Sequence, residues 1–134
     1  MGNSSIRIAH VTDLHVLSLE GVRVWDFMNQ RVLGGANLLF NRSGEYPVEV
    51  TERLMFDINA QKVDHVVVSG DLTNLSLPSE LERARQVLSL LDLDSKDITV
   101  VPGNHDLYCL SERIRGNFRR VLYSYTEGDL ASPH

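Results

Sequence analysis

The sequence has little cysteine, no long apolar run and no excess of basic residues. Its single cysteine, Cys109, cannot form an intramolecular disulfide, and such scarcity is typical of proteins from reducing compartments. No stretch reaches the roughly 20 apolar residues that a transmembrane helix needs, and no basic-then-apolar leader precedes the first predicted strand. These absences exclude an intramolecular disulfide framework and favour a cytoplasmic protein, either free or peripheral to a membrane.

The charge balance argues against a general nucleic-acid-binding domain. Thirteen basic and 18 acidic residues give a net charge of -5, whereas a general nucleic-acid-binding domain carries a basic excess. The arginine-rich segment 113–120 is interpreted as a solvated helix face, with attraction of an anionic substrate or a membrane surface as the alternative. With 43% hydrophobic and 23% charged residues, we expect residues 1–134 to form one domain or a piece of one.

Apolar, partly β-branched runs alternate with helical patterns along the chain. Strands are predicted at residues 6–11, 65–69 and 98–101. Helices are predicted at about 24–41 with a break at Gly34-Gly35, at 47–61, from Pro78 onward, and over the apolar positions between 114 and 125. The order of these elements predicts an α/β fold, a mainly parallel sheet with flanking helices.

A short polar motif follows each predicted strand. The motifs are Asp-x-His at residues 13–15, Gly-Asp-Leu-Thr-Asn at 70–74 and Gly-Asn-His-Asp at 103–106. Each motif alone also fits an ordinary turn or helix cap. In a parallel sheet, however, all strand C-terminal ends lie at one edge, where ligand sites gather. We therefore expect the three motifs to lie together despite their separation in sequence.

The donors in these motifs suit divalent metal ions. Asp13, His15, Asp71 and Asn104 combine carboxylate oxygens, an imidazole nitrogen and an amide oxygen, which is a mixture that transition ions accept. Asp71 has two carboxylate oxygens and is expected to bridge two metals roughly 3.5 to 4 Å apart. The donor chemistry therefore predicts a metal site with Asp13, His15, Asp71 and Asn104 as ligands.

Two further residues of the third motif are candidates for catalysis. His105 adjoins a predicted ligand without being needed as one, and we expect it to protonate a leaving oxygen. Asp106 is expected to hold that imidazole in orientation. Gly70 and Gly103 are expected to let the backbone turn sharply beside the ions, where side chains would obstruct it.

These motifs resemble those of the calcineurin-like metallophosphoesterase superfamily, which are Asp-x-His, Gly-Asp-x-x and Gly-Asn-His-Asp/Glu, followed much later by a His and by Gly-His-x-His. The match is clearest over residues 6–108. The resemblance implies a four-layer α/β/β/α sandwich, of which this chain resembles the N-terminal half. It also implies hydrolysis of a phosphate mono- or diester, in which a hydroxide that bridges two ions of manganese, iron or zinc attacks phosphorus.

The resemblance assigns the site residue by residue. Asp13 and His15 resemble ligands of the first metal, Asp71 the bridging carboxylate and Asn104 a ligand of the second metal. His105 resembles the histidine that contacts the phosphate, with Asp106 as its partner. The substrate stays open among small-molecule phosphate esters and nucleotides, including cyclic and pyrophosphate-linked nucleotides, and also nucleic-acid ends and lipid headgroups.

The later histidine motifs of the family are absent from this sequence. The remaining histidines, His10, His65 and His134, follow no Gly-His pattern, and we expect none of them to be a ligand. The second metal site should therefore be weak, and we expect little turnover from this chain alone. The alternatives are a catalytically inactive fragment that acts as an interaction module, and assembly with a separate chain that contributes histidines. Association through an exposed sheet edge is also expected.

Overall fold

The computed structural model describes residues 5–18, 48–74, 76–107 and 112–126, with only the backbone described for 112–115. The predicted helix at 24–41, Cys109 and His134 lie outside the described residues. Over the described parts the chain alternates between strands and helices, as the sequence pattern predicts. The helices and strands have the following bounds: β1 (Ile8–Thr12), α1 (Val48–Ala60), β2 (His65–Ser69), α2 (Pro78–Leu88), a 3-10 helix (Ser95–Asp97), β3 (Ile98–Val101), α3 (Glu112–Val121) and α4 (Tyr123–Thr126).

Local sequence explains where these elements begin. Strands β2 and β3 coincide with the predicted runs, which are rich in β-branched residues and end at Gly70 and Pro102. Helix α2 begins with Pro78 in its first turn, where a missing N–H costs nothing. The Glu80 carboxylate accepts a hydrogen bond of 3.1 Å from the Leu77 backbone N–H, which satisfies one of the donors at this helix end.

The three strands form one parallel sheet in the order β1-β2-β3. Thr12 pairs with Ser69, and Ser69 pairs with Val101, so the last residues of all three strands are in register. The segments that carry the three polar motifs therefore leave the sheet at the same edge. The predicted α/β fold with a parallel sheet is confirmed.

The core lies on one face of the sheet. Right-handed crossovers between neighbouring strands in this order place α1 and α2 on the same side. The buried strand residues of that side pack with apolar side chains of α1, α2 and α3. The largest part of this cluster consists of Met55, Ile58, Val66, Val68, Leu81, Leu88, Ile98, Val100 and Phe118.

The opposite face of the sheet is exposed. Ile8 is 62% exposed and Val101 is 48% exposed. Four polar side chains of this face form two pairs: His10 Nε2 lies 2.6 Å from Ser69 Oγ, and His65 Nε2 lies 2.9 Å from Thr99 Oγ1. The described residues thus form one sheet and one helix layer. None of the described helices combines the length and apolarity needed to cross a membrane.

Candidate metal centre

Backbone hydrogen bonds join the loop after β1 to the loop after β2. The His15 N–H donates to Asp71 O at 3.0 Å, and the Val16 N–H donates to Leu72 O at 2.7 Å. Val16 and Thr73 form an isolated parallel bridge. The first two motifs therefore stay side by side beyond the ends of their strands, and the predicted ligands of both are fixed at short range.

Three of the predicted metal ligands converge at this edge. Ligand atoms of Asp13, His15 and Asp71 all lie within 4.8 Å of one another, which is a spacing that one ion can bridge. His15 Nε2 is 3.8 Å from Asp13 Oδ1. The Asp13 side chain is 61% exposed, while Asp71 is only 9% exposed. The cluster is therefore open to solvent on the Asp13 side and closed on the Asp71 side.

The backbone of the same three residues is held in an unusual conformation. Five non-glycine residues have positive φ among the described residues, and Asp13 (57°), His15 (45°) and Asp71 (22°) are three of them. Positive φ is uncommon outside glycine and costs of order 1–3 kcal/mol, so it persists only where surrounding contacts impose it. Such outliers cluster at functional sites. Here the three residues with positive φ are the ones whose possible metal-ligand atoms converge.

Gly103 lets the third loop approach the second without a gap. A Cβ atom on Gly103 would overlap both the backbone nitrogen and Oδ1 of Asp71, and it would lie 2.7 Å from the Cα of Gly70. Only glycine fits at such a contact. The expectation that a side chain at Gly103 would obstruct the backbone beside the site thus has a geometric basis. The residue that such a side chain would overlap is Asp71.

His105 is hydrogen-bonded twice to the second loop. Its backbone N–H donates to Asp71 Oδ1 at 2.9 Å, and its ring Nδ1 lies 2.9 Å from the carbonyl oxygen of Asn74. Because a carbonyl only accepts, Nδ1 carries the proton of this bond, which fixes the orientation of the ring. The His105 and His15 rings meet edge to face, with centroids 5.4 Å apart. His105 therefore stands beside the metal-ligand cluster.

Asn74 is a site residue that sequence reasoning missed. Its backbone carbonyl accepts from His105, and its side-chain Nδ2 donates to His15 O at 2.7 Å. One residue thus contacts both histidines of the site. The only signal in the sequence was its place as the last polar residue of the second motif.

Asn104 lies at the same edge, between two residues whose backbones are held against Asp71. Its side chain is exposed. Gly103 packs on Asp71 on one side, and the His105 N–H donates to Asp71 on the other. Asn104 therefore comes directly after Gly103, the residue at which the third loop packs against the second.

Asp106 makes contacts that differ from the expected ones. Its carboxylate is fully buried and accepts hydrogen bonds from Leu72 N, Thr73 N, Thr73 Oγ1 and Gly103 N, at 2.8 to 3.1 Å. His105 Nδ1 is instead held by Asn74. The two side chains are consecutive in a tight turn, and they leave it toward different neighbours. The expectation that Asp106 orients His105 is not what these contacts show.

The donor set fits a divalent transition ion. Two carboxylates and one imidazole form a mixed oxygen and nitrogen set that manganese, iron and zinc all accept. Asp71 keeps further acceptor capacity, because a carboxylate offers about four lone-pair sites and the His105 N–H uses one. The described residues can therefore hold at least one metal ion.

Comparison with known proteins agrees with this geometry. Residues 6–131 match the family model of the calcineurin-like phosphoesterases, a metal-dependent family. The chain is also 30% identical over 109 residues to the glycerophosphodiester phosphodiesterase GpdQ of Enterobacter lignolyticus (strain SCF1). That similarity covers 81% of this chain and 32% of the relative, so the matched part spans about a third of that protein. The chain belongs to the calcineurin-like phosphoesterase family.

Proposed function

We propose that this chain forms the metal-binding part of a phosphoesterase that hydrolyses a phosphate mono- or diester. The observation that carries the proposal is the convergence of Asp13, His15 and Asp71 ligand atoms within 4.8 Å. Asn104 is proposed as a further ligand, and residues 1–134 as one segment of a phosphoesterase domain. Low cysteine content supports a cytoplasmic location.

Two divalent ions are proposed, with Asp13 and His15 on the first, Asp71 between them and Asn104 on the second. When bound, such ions supply Lewis-acid chemistry, which generates a nucleophile at neutral pH and neutralises charge on the phosphoryl group. Asp71 and Asn104 are the residues of this sequence proposed for the second ion, and the family resemblance implies further histidine ligands from a longer polypeptide or a separate chain.

The protein's own residues position the reacting groups. Asp71 is fixed through the His105 N–H, which uses one lone-pair site of Oδ1 and leaves the rest of the carboxylate for the proposed ions. His105 is held at Nδ1 by the Asn74 carbonyl, so that Nε2 is the atom proposed to carry a proton to the leaving oxygen. The open side near Asp13, which is 61% exposed, is the proposed entry for substrate.

The substrate class is proposed from chemistry and from one relative. A metal pair acts on the phosphate whatever its substituents are, so the site itself selects only a phosphoester. GpdQ is named a glycerophosphodiester phosphodiesterase, which makes a glycerophosphodiester the first compound to test. The second candidate function is a non-catalytic interaction module that keeps the loops at this sheet edge as a binding surface.

Metal titration tests the proposal. Calorimetry with Mn²⁺ should show binding to the wild-type chain and an affinity at least about tenfold lower in Asp71→Asn, which keeps its contact to the His105 N–H. The matched control is Asp57→Asn, which changes an exposed carboxylate on α1 and should bind Mn²⁺ like the wild type.

Equal binding by Asp71→Asn and Asp57→Asn would contradict the proposed site. A second measurement separates enzyme from interaction module. Turnover of a glycerophosphodiester or of bis(4-nitrophenyl) phosphate with Mn²⁺, abolished by Asp71→Asn, supports the phosphoesterase. Metal binding without turnover, even after a C-terminal half with the missing histidines is supplied, supports the interaction module.

A further inference from the structure

The Asp106 carboxylate is the most completely buried acidic group of the site. It is 0% exposed and receives four hydrogen bonds, of 2.8 to 3.1 Å. A buried charge is tolerated only when it is fully hydrogen-bonded, and bonds to an ionised acceptor are strong. A carboxylate in this setting fixes the groups that donate to it.

Those donors come from both loops that carry proposed metal ligands. Leu72 N and Thr73 N follow Asp71 directly in the second loop, while Gly103 N directly precedes Asn104 in the third. The backbone carbonyl of Asp106 is held in the same way, because Ser76 Oγ donates to it at 2.6 Å. One residue therefore joins the two loops through several bonds, with no metal needed to hold them.

Each oxygen of the carboxylate has two donors. Oδ1 accepts from the backbone and the hydroxyl of Thr73, and Oδ2 accepts from Leu72 N and Gly103 N. An amide in either orientation would turn its NH₂ group toward at least one backbone N–H. Asparagine, although of the same shape, therefore cannot replace Asp106 here.

We propose that Asp106 is a positioning residue that sets the separation of Asp71 and Asn104 by acting on the backbones of Leu72, Thr73 and Gly103. It acts on the loops and not through His105, whose ring is held by Asn74. The part of the proposal that concerns metal affinity rests on the proposed function. The joining of the loops does not, and it is measurable without metal.

The experiment compares Asp106→Asn, His105→Ala and the double variant in the full chain. Without metal, Asp106→Asn should lower the equilibrium constant for folding at least about tenfold in urea titrations, since buried donors lose their acceptor. Amide exchange of Thr73 and Gly103 should accelerate by a similar factor. Mn²⁺ affinity should fall at least about tenfold in Asp106→Asn.

The double variant decides which route Asp106 uses. The proposal expects the full effect of Asp106→Asn on amide exchange and on Mn²⁺ affinity to persist when His105 is already alanine. If the effect of Asp106→Asn disappears in that background, Asp106 acts through His105 and the proposal is overturned. Unchanged exchange of Thr73 and Gly103 in Asp106→Asn overturns it as well.

A milder variant covers the case in which Asp106→Asn does not fold. Thr73→Val removes only the hydroxyl donor to Oδ1 and keeps the side-chain shape and the backbone N–H. It should lower Mn²⁺ affinity about two- to fivefold at a temperature where the protein is folded. Thr51→Val, which changes another buried threonine on α1, is the control and should leave the affinity unchanged.

Equal affinities for Thr73→Val and Thr51→Val contradict the proposal. A wild-type chain that binds no Mn²⁺ refutes the proposed function instead. In that case the metal-free measurements on Asp106→Asn and Thr73→Val still decide whether Asp106 joins the two loops.

Discussion

A single methyl group at Gly103 should disrupt the contact between the second and third loops. The Cβ of alanine would overlap the backbone nitrogen and Oδ1 of Asp71, and would stand 2.7 Å from the Cα of Gly70. Two of these three atoms belong to the backbone, so no side-chain rotation can relieve the overlap. The third loop must therefore move away from the second.

The size of the effect follows from the distances. Carbon atoms in contact are about 3.5 to 4.0 Å apart, so the Gly70 contact requires a shift of roughly 1 Å. That shift stretches the bonds from Leu72 N to Asp106 Oδ2 and from His105 N to Asp71 Oδ1, which are 3.1 and 2.9 Å long. Overpacking alone costs about 1–3 kcal/mol, and each weakened bond to a charged group adds to it. We expect a loss of about 3 kcal/mol or more.

Two other glycines provide matched controls in urea unfolding. Gly70 has φ of +79° and no atom within 4 Å of an added Cβ, so Gly70→Ala meets only the left-handed conformational cost of about 1–2 kcal/mol. Gly116 lies inside α3, also with open space, so Gly116→Ala should gain about 0.5–1 kcal/mol. The expected order of stability is Gly116→Ala, wild type, Gly70→Ala, Gly103→Ala.

The refuting result is a Gly103→Ala protein at least as stable as Gly70→Ala. That outcome would mean that the two loops are not held in contact, and the placement of Asp106 between them would fail with it. Mn²⁺ affinity gives a second check. It should fall in Gly103→Ala, because the loop that carries Asn104 moves away from Asp71, and it should be unchanged in Gly116→Ala.

Three further predictions concern regions away from this contact. In the segment after α2, Leu90 O accepts a hydrogen bond of 2.8 Å from Asn59 Nδ2, and the Asp92 N–H donates one of 2.9 Å to Asn59 Oδ1. Asn59→Ala should therefore lower the free energy of unfolding in urea by about 1–3 kcal/mol, and a loss under about 0.5 kcal/mol would contradict this. A hydrogen bond from Arg85 lowers the pKa of the Glu82 carboxyl, so this pair favours folding at neutral pH and the benefit is lost as the pH falls through that pKa. NMR titration of Arg85→Gln should show the pKa of Glu82 raised toward its ordinary value, and an unchanged pKa would contradict the assignment. We expect copies of the chain to associate through the exposed sheet face, so Val101→Thr should weaken that association roughly threefold in sedimentation velocity, and an unchanged constant would contradict this.

Much of the sheet is predictable from local sequence. Strands β2 and β3 match the predicted runs residue for residue, because uninterrupted β-branched residues are bounded by turn residues. The first strand begins at Ile8 and not at the predicted residue 6, for a reason that local sequence does not contain. Its partner β2 begins only at His65, which pairs with Ile8, so residues before Ile8 have no strand beside them. Ile6 is accordingly 75% exposed.

The site was predictable where it depends on the ends of strands. Asp13, His15 and Asp71 come together because the parallel register aligns Thr12, Ser69 and Val101, and that consequence of topology can be drawn from the order of elements. The partners of the remaining site residues depend on the direction in which each side chain leaves its turn. A motif fixes the residue types of a turn but not those directions.

The exposed sheet face follows from the same topology that builds the site. Right-handed crossovers in the order β1-β2-β3 place α1 and α2 on one face, and they leave Ile8 and Val101 on the other. Although 23% of the sequence is charged, none of the strand residues on that face is an aspartate, glutamate, lysine or arginine, and its histidines are hydrogen-bonded to neighbouring hydroxyls. Covering this face would thus bury apolar surface and leave these polar groups paired. A sheet surface of this composition is typical of one that packs against a further layer, which the four-layer architecture implied by the sequence motifs would provide.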